Sequence, residues 1–84
     1  MKYAVKFEKP ATKSLSKLPI KEIEKIKIEV LKLSDNPRPF GYKKLKGRDA
    51  YRIRVGDYRV IYEIYDNILV VIVVGIGNRK EVYD

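Results

Sequence analysis

The chain has no cysteine, no histidine and no tryptophan. Without cysteine there is no disulfide, no thiolate metal site and no thiol nucleophile. Without histidine there is no Ser-His triad, no imidazole ligand and no imidazole base. Long apolar runs are missing as well. None approaches the ~18–20 residues that span a bilayer, and residues 1–10 hold no apolar stretch suited to a secretory signal. Acidic groups are few and scattered, 11 against 19 Lys and Arg. Neither a facing carboxylate pair for glycoside cleavage nor a metal-hydrolase site is visible among them. These gaps predict a cytoplasmic protein with no membrane segment, no metal and no small-molecule cofactor.

What remains is one small domain, residues 1–84, too apolar for disorder and with a formal charge of +8. Residues 1–49 carry 14 basic and 6 acidic side chains, and residues 50–84 carry 5 of each. The Lys residues of 13–32 alternate with Glu at helical spacing and read as a solvated face. Residues 37–59 differ: Arg38, Lys43, Lys44, Lys46, Arg48, Arg52, Arg54 and Arg59 are opposed only by Asp49 and Asp57. That density predicts a strong positive field and a polyanionic partner.

Residues 2–7 alternate, with Tyr3, Val5 and Phe7 on one side, as in a half-buried strand. Pro10 suits the first turn of a helix, and Ala11, Leu15 and Leu18 supply its apolar stripe. Pro19 ends that helix or begins the next. Ile20, Ile23, Ile26, Val30 and Leu33 recur at steps of three and four, which predicts a helix over 20–34. Residues 37–49 read as a long loop. Residues 51–55 and 58–64 alternate around Gly56-Asp57, a hairpin with glycine where a type II′ turn demands it. A turn at 65–67 leads to an apolar strand over 68–74, with Gly75 and Gly77 loosening the chain after it and a short last strand over 79–83. The fold class is therefore α+β: an N-terminal strand, a two-helix hairpin, then antiparallel strands forming a twisted sheet with the helices on one face.

A two-residue turn fixes the hairpin register. Val55 faces Tyr58, Arg54 faces Arg59, Ile53 faces Val60, Arg52 faces Ile61 and Tyr51 faces Tyr62. Opposed residues lie on one side of a sheet. One side is then apolar, and the other gathers Arg52, Arg54 and Arg59 with Glu63 alone to relieve them. Clustered like charges destabilise a sheet unless something neutralises them. Arginine forks match phosphate oxygens bidentately, which favours a phosphate or nucleic-acid ligand. The competing arrangement pairs them with Glu81, Asp84 or the acidic groups of a partner protein.

An arginine cluster can still catalyse RNA cleavage. The 2′-OH attacks its own phosphate, and fixed cations stabilise the charge that builds on the phosphoryl oxygens. Arginine is a poor base, so Tyr83, Lys80, Lys43, Lys44 and Lys46 are the candidates for proton transfer. The loop cations Lys43, Lys44, Lys46 and Arg48, with Lys80, are expected to bind RNA.

The segments Leu45-Lys46-Gly47, Tyr51-Arg52-Ile53-Arg54-Val55-Gly56-Asp57-Tyr58-Arg59-Val60-Ile61-Tyr62 and Asn78-Arg79-Lys80-Glu81-Val82-Tyr83 together resemble the RelE/ParE toxin superfamily, most closely its RelE branch. The resemblance runs over essentially the whole chain. It implies a toxin that cleaves mRNA in the ribosomal A site and a cognate RelB-like antitoxin that wraps and neutralises it. It also implies catalytic roles for Arg52, Arg54, Arg59, Arg79 and Tyr83, the arginines steadying phosphate and the tyrosine orienting or stacking on substrate. Asn78 stands where some relatives have histidine. The alternatives are a ParE-like inhibitor of DNA gyrase and a non-catalytic nucleic-acid-binding module.

Overall fold

Residues 2–78 are described in the structure, a computed structural model. The elements are β1 (Ala4–Phe7), α1 (Lys9–Ser16), α2 (Ile20–Lys32), β2 (Lys43–Lys44), β3 (Tyr51–Val55), β4 (Tyr58–Tyr65) and β5 (Val70–Asn78). They build one five-stranded sheet in the order β1-β5-β4-β3-β2. The expected last strand over 79–83 lies outside the described residues.

Three pairings in the sheet are antiparallel and one is parallel. β1 runs parallel to β5, Ala4 beside Val70 and Phe7 beside Val73. A parallel neighbour needs a crossover, and the two helices are part of it. Pro10 sits in the first turn of α1, whose Ala11 and Leu15 are buried. Pro19 caps α2, its carbonyl accepting from the backbone N–H groups of Glu22 at 2.9 Å and Ile23 at 3.0 Å. Ile26 and Val30 of α2 are buried, as is Leu33 just past its end. Ile20 departs from the expected stripe: it opens α2 and is 75% exposed.

The core between helices and sheet joins these residues to Ile53, Val55, Val60, Tyr62, Val71, Val73 and Ile76. β5 starts later than expected and runs further. Ile68 and Leu69 belong to the turn before it, where Leu69 takes φ +53°. Gly75 and Gly77 lie inside the strand rather than beyond it. A register shift sets Ile61 opposite Gly75 and Tyr62 opposite Val73, leaving Val74 as an extra residue. This bulge keeps Val71, Val73 and Ile76 on the helix side while Val74 turns to the other. There it packs with Leu45, Ala50 and Ile61 in a second, smaller cluster. The segment expected as loop therefore contributes β2 and a cover for part of the second face, closed by the Leu45 N–H to Ala50 carbonyl bond at 2.9 Å.

Candidate nucleic-acid interface

β3 and β4 meet in the register that the two-residue turn dictates: Tyr51 with Tyr62, Arg52 with Ile61, Ile53 with Val60, Arg54 with Arg59 and Val55 with Tyr58. Gly56 takes φ +59° and Asp57 does not share a positive φ, as a type II′ turn requires. Beyond β3, Lys43 stands opposite Arg52 and Lys44 opposite Tyr51. Since direct partners share a side, Lys43, Arg52, Arg54 and Arg59 occupy the face away from the helices. Lys44 falls on the other face and does not join them. On β5 the residues opposite Ile61 and Arg59 are Gly75 and Gly77. The cationic strip therefore borders a stretch of strand without side chains.

The three arginines are not equivalent. Arg52 is 7% exposed, Arg59 is half-buried and Arg54 is exposed. Arg54 forms no ion pair among the described residues. Lys46 and Arg48 are exposed in the segment that covers the second face. Arg48 also borders a hollow of about 410 Å3 with Glu63, Gly75 and the Pro10–Ser14 side of α1. Glu63 lies on the same side, and its Oε1 accepts the Tyr65 hydroxyl at 2.7 Å. That bond raises the Tyr65 pKa. Arg79, Lys80 and Tyr83 lie outside the described residues.

Arg38 leaves the cationic set altogether. Its guanidinium donates to both Asp66 oxygens, at 3.2 and 2.8 Å, and lies 5.9 Å from the centre of the Tyr51 ring. Tyr3 donates to Asp66 Oδ1 at 2.6 Å. Together these hold the Asp66 carboxyl down at about 2. Beneath Arg38, the Tyr42, Tyr51 and Tyr62 rings follow one another at 5.8 and 6.1 Å. The Tyr62 hydroxyl donates to the Pro37 carbonyl at 2.7 Å, and burial pushes its pKa up. Local charge counting could not see this, because Asp66 is remote in sequence from the cation it neutralises. Gly75 and Gly77 read in the sequence only as a loosening of the chain. Their spacing of two was the available signal, since it sets both on one side of a strand.

A family model described as the ParE toxin of a type II toxin–antitoxin system, parDE, matches residues 5–83. The chain belongs to this toxin family. Within it the toxin is similar to the mRNA interferase toxin RelE of Escherichia coli K12, at 33% identity over 88 residues, covering 99% of this chain and 92% of that protein. It is similar to the candidate toxin RelE1 of Methanocaldococcus jannaschii, at 36% identity over 87 residues, covering 99% and 97%. The crystal structure of the archaeal RelE–RelB complex from Pyrococcus horikoshii OT3 contains a chain that superposes with a TM-score of 0.85. That match has 33% identity and covers 98% of this chain and 100% of the other. The protein is thus a RelE-like toxin of a type II toxin–antitoxin system, and its strand, helix pair and sheet are those of the RelE fold.

Proposed function

We propose that this toxin is an mRNA interferase that acts in the cytoplasm, on mRNA in the ribosomal A site, by metal-independent transesterification. The observation that carries the reading is the direct opposition of Arg54 and Arg59, beside Lys43 and Arg52 and next to the side-chain-free stretch at Gly75 and Gly77. A phosphate seated there meets convergent guanidinium donors. The ribose 2′-OH attacks the adjacent phosphorus, loses its proton and forms a cyclic phosphate, while the bond to the 5′ oxygen breaks and that oxygen takes a proton. Charge grows on the non-bridging oxygens, where Arg54 and Arg59 stabilise it. Arg52 backs them from within the sheet, and Arg79 and Tyr83 complete the set as phosphate ligand and substrate-orienting group. Lys43, Lys46, Arg48 and Lys80 hold the flanking backbone by charge.

The relatives named RelE support this reading, and those seen in complexes with RelB support a RelB-like antitoxin as cognate partner. The family description names ParE, which favours a gyrase-directed toxin as the second reading. Primer extension on mRNA from a translating extract separates the two. Wild type should cut, Arg59→Ala should cut about 10²–10³-fold more slowly, and a 2′-deoxy substitution at the scissile nucleotide should abolish cutting. Intact mRNA together with blocked DNA supercoiling would assign the protein to the second reading.

A further inference from the structure

Phe40 is the most exposed large apolar side chain among the described residues, at 107% of its reference area. Its exposure is built in. The Tyr42 N–H donates to the Pro39 carbonyl at 3.0 Å and Gly41 takes φ +90°, so Phe40 occupies the first corner of a type II turn. The stem of that turn is braced. Pro37 is buried with its carbonyl held by Tyr62, Arg38 is clamped to Asp66, and the Arg38 N–H donates to Asn36 Oδ1 at 3.1 Å. Pro37 and Pro39 both precede the corner and remove further backbone freedom from its stem. A ring held out on a braced corner loses little entropy when it binds something.

The surroundings indicate what it binds. No acidic residue occurs between Asp35 and Asp49, while Lys43, Lys44, Lys46 and Arg48 are all exposed. Phe40 precedes Lys43 by three residues, so their Cα atoms lie within about 11 Å of each other. A protein partner would need a packed apolar ring around such an anchor. Residues 36–48 offer instead one aromatic face among cations, and single-stranded nucleic acid needs only that: cations for the backbone and a ring for a base. We propose that Phe40 is a stacking platform for an unpaired RNA base, extending the phosphate-binding strip around the sheet edge at β2. The site rests on the RNA-binding reading of that strip and adds base stacking to it.

The absence of tryptophan supplies the reporter. In the full chain, Phe40→Trp introduces a single indole, titrated with a 2′-O-methyl RNA 12-mer that binds without being cut. Stacking quenches its emission at saturation, whereas an abasic 12-mer and polyglutamate of matched charge leave it near the unbound level. With the intact 12-mer, Phe40→Ala weakens binding by roughly 5- to 100-fold while keeping the wild-type dependence of affinity on salt, since the phosphate contacts persist. Quenching by polyglutamate equal to that by RNA, or unchanged RNA affinity in Phe40→Ala, overturns the proposal. Quenching only by a RelB-like antitoxin, and not by RNA, overturns it in favour of a protein anchor. The fate of the cleavage reading is settled separately by the mRNA assay, because these titrations need no turnover.

Discussion

Arg52 and Arg54 stand two residues apart on one strand and meet different surroundings. Arg52 is almost enclosed, so its charge and its aliphatic stem both belong to the fold. Arg54 projects into solvent. Arg52→Ala should therefore lower stability by about 1–3 kcal/mol, and Arg54→Ala should leave it within about 0.5 kcal/mol, as read from urea unfolding. If Arg54 steadies phosphate, its loss should appear in cleavage alone. Asp66 sets a second test. Hydrogen bonds from Arg38, then Tyr3, depress its folded-state pKa to about 2 from 3.8. A depressed carboxyl stabilises the fold above the higher value and loses that contribution as pH falls through the lower one. Melting temperature should thus drop between pH 4 and pH 2, and the drop should be shallower in Asp66→Asn. The pair is exposed, so added salt should narrow the difference.

At the scale of elements, β5 separates packing from function. A Cβ added at Gly75 would meet only Ile61 Cβ, at 3.9 Å, an ordinary contact. Gly75→Val should keep the thermal midpoint within a few degrees while filling part of the hollow that Gly75 lines with Arg48 and Glu63. We expect cleavage to fall on the order of 10²-fold. Gly56 behaves in the opposite way. Its φ of +59° makes Gly56→Ala cost about 1 kcal/mol through backbone strain, measurable by denaturation. The β3–β4 hairpin was legible in the sequence because a two-residue turn leaves one register, and that register assigns every side chain to a face. β5 was not. Residues 68–74 are apolar throughout, so no alternation marks a face, and the bulge at Val74 is set by the strand beside it. Nor was the cover of the second face, since Leu45 and Ala50 find Ile61 and Val74 only through tertiary packing. Of the proposed site, the arginines could be read from strand alternation. The clamp on Arg38 joins segments remote in sequence and left no local trace.

For the molecule as a whole, the charge of +8 makes association with a polyanion a matter of released counterions. Affinity for single-stranded RNA should fall linearly on a double-logarithmic plot against salt. Lys43→Ala and Lys46→Ala should each reduce the slope by about 0.7, the share of one phosphate contact on a single strand.

The parallel seam between β1 and β5 bears on how the toxin is made. β1 emerges before the other described elements, yet its one partner among them is β5, the last. Until residues 70–73 have been synthesised, Ala4–Phe7 has no ladder to join, and the helices lack the Val71 and Val73 surface against which they pack. A nascent chain arrested at residue 69 should be digested rapidly by protease, while the finished chain resists. Up to that point the polypeptide has neither a complete sheet nor a closed core, so folding waits on the arrival of β5.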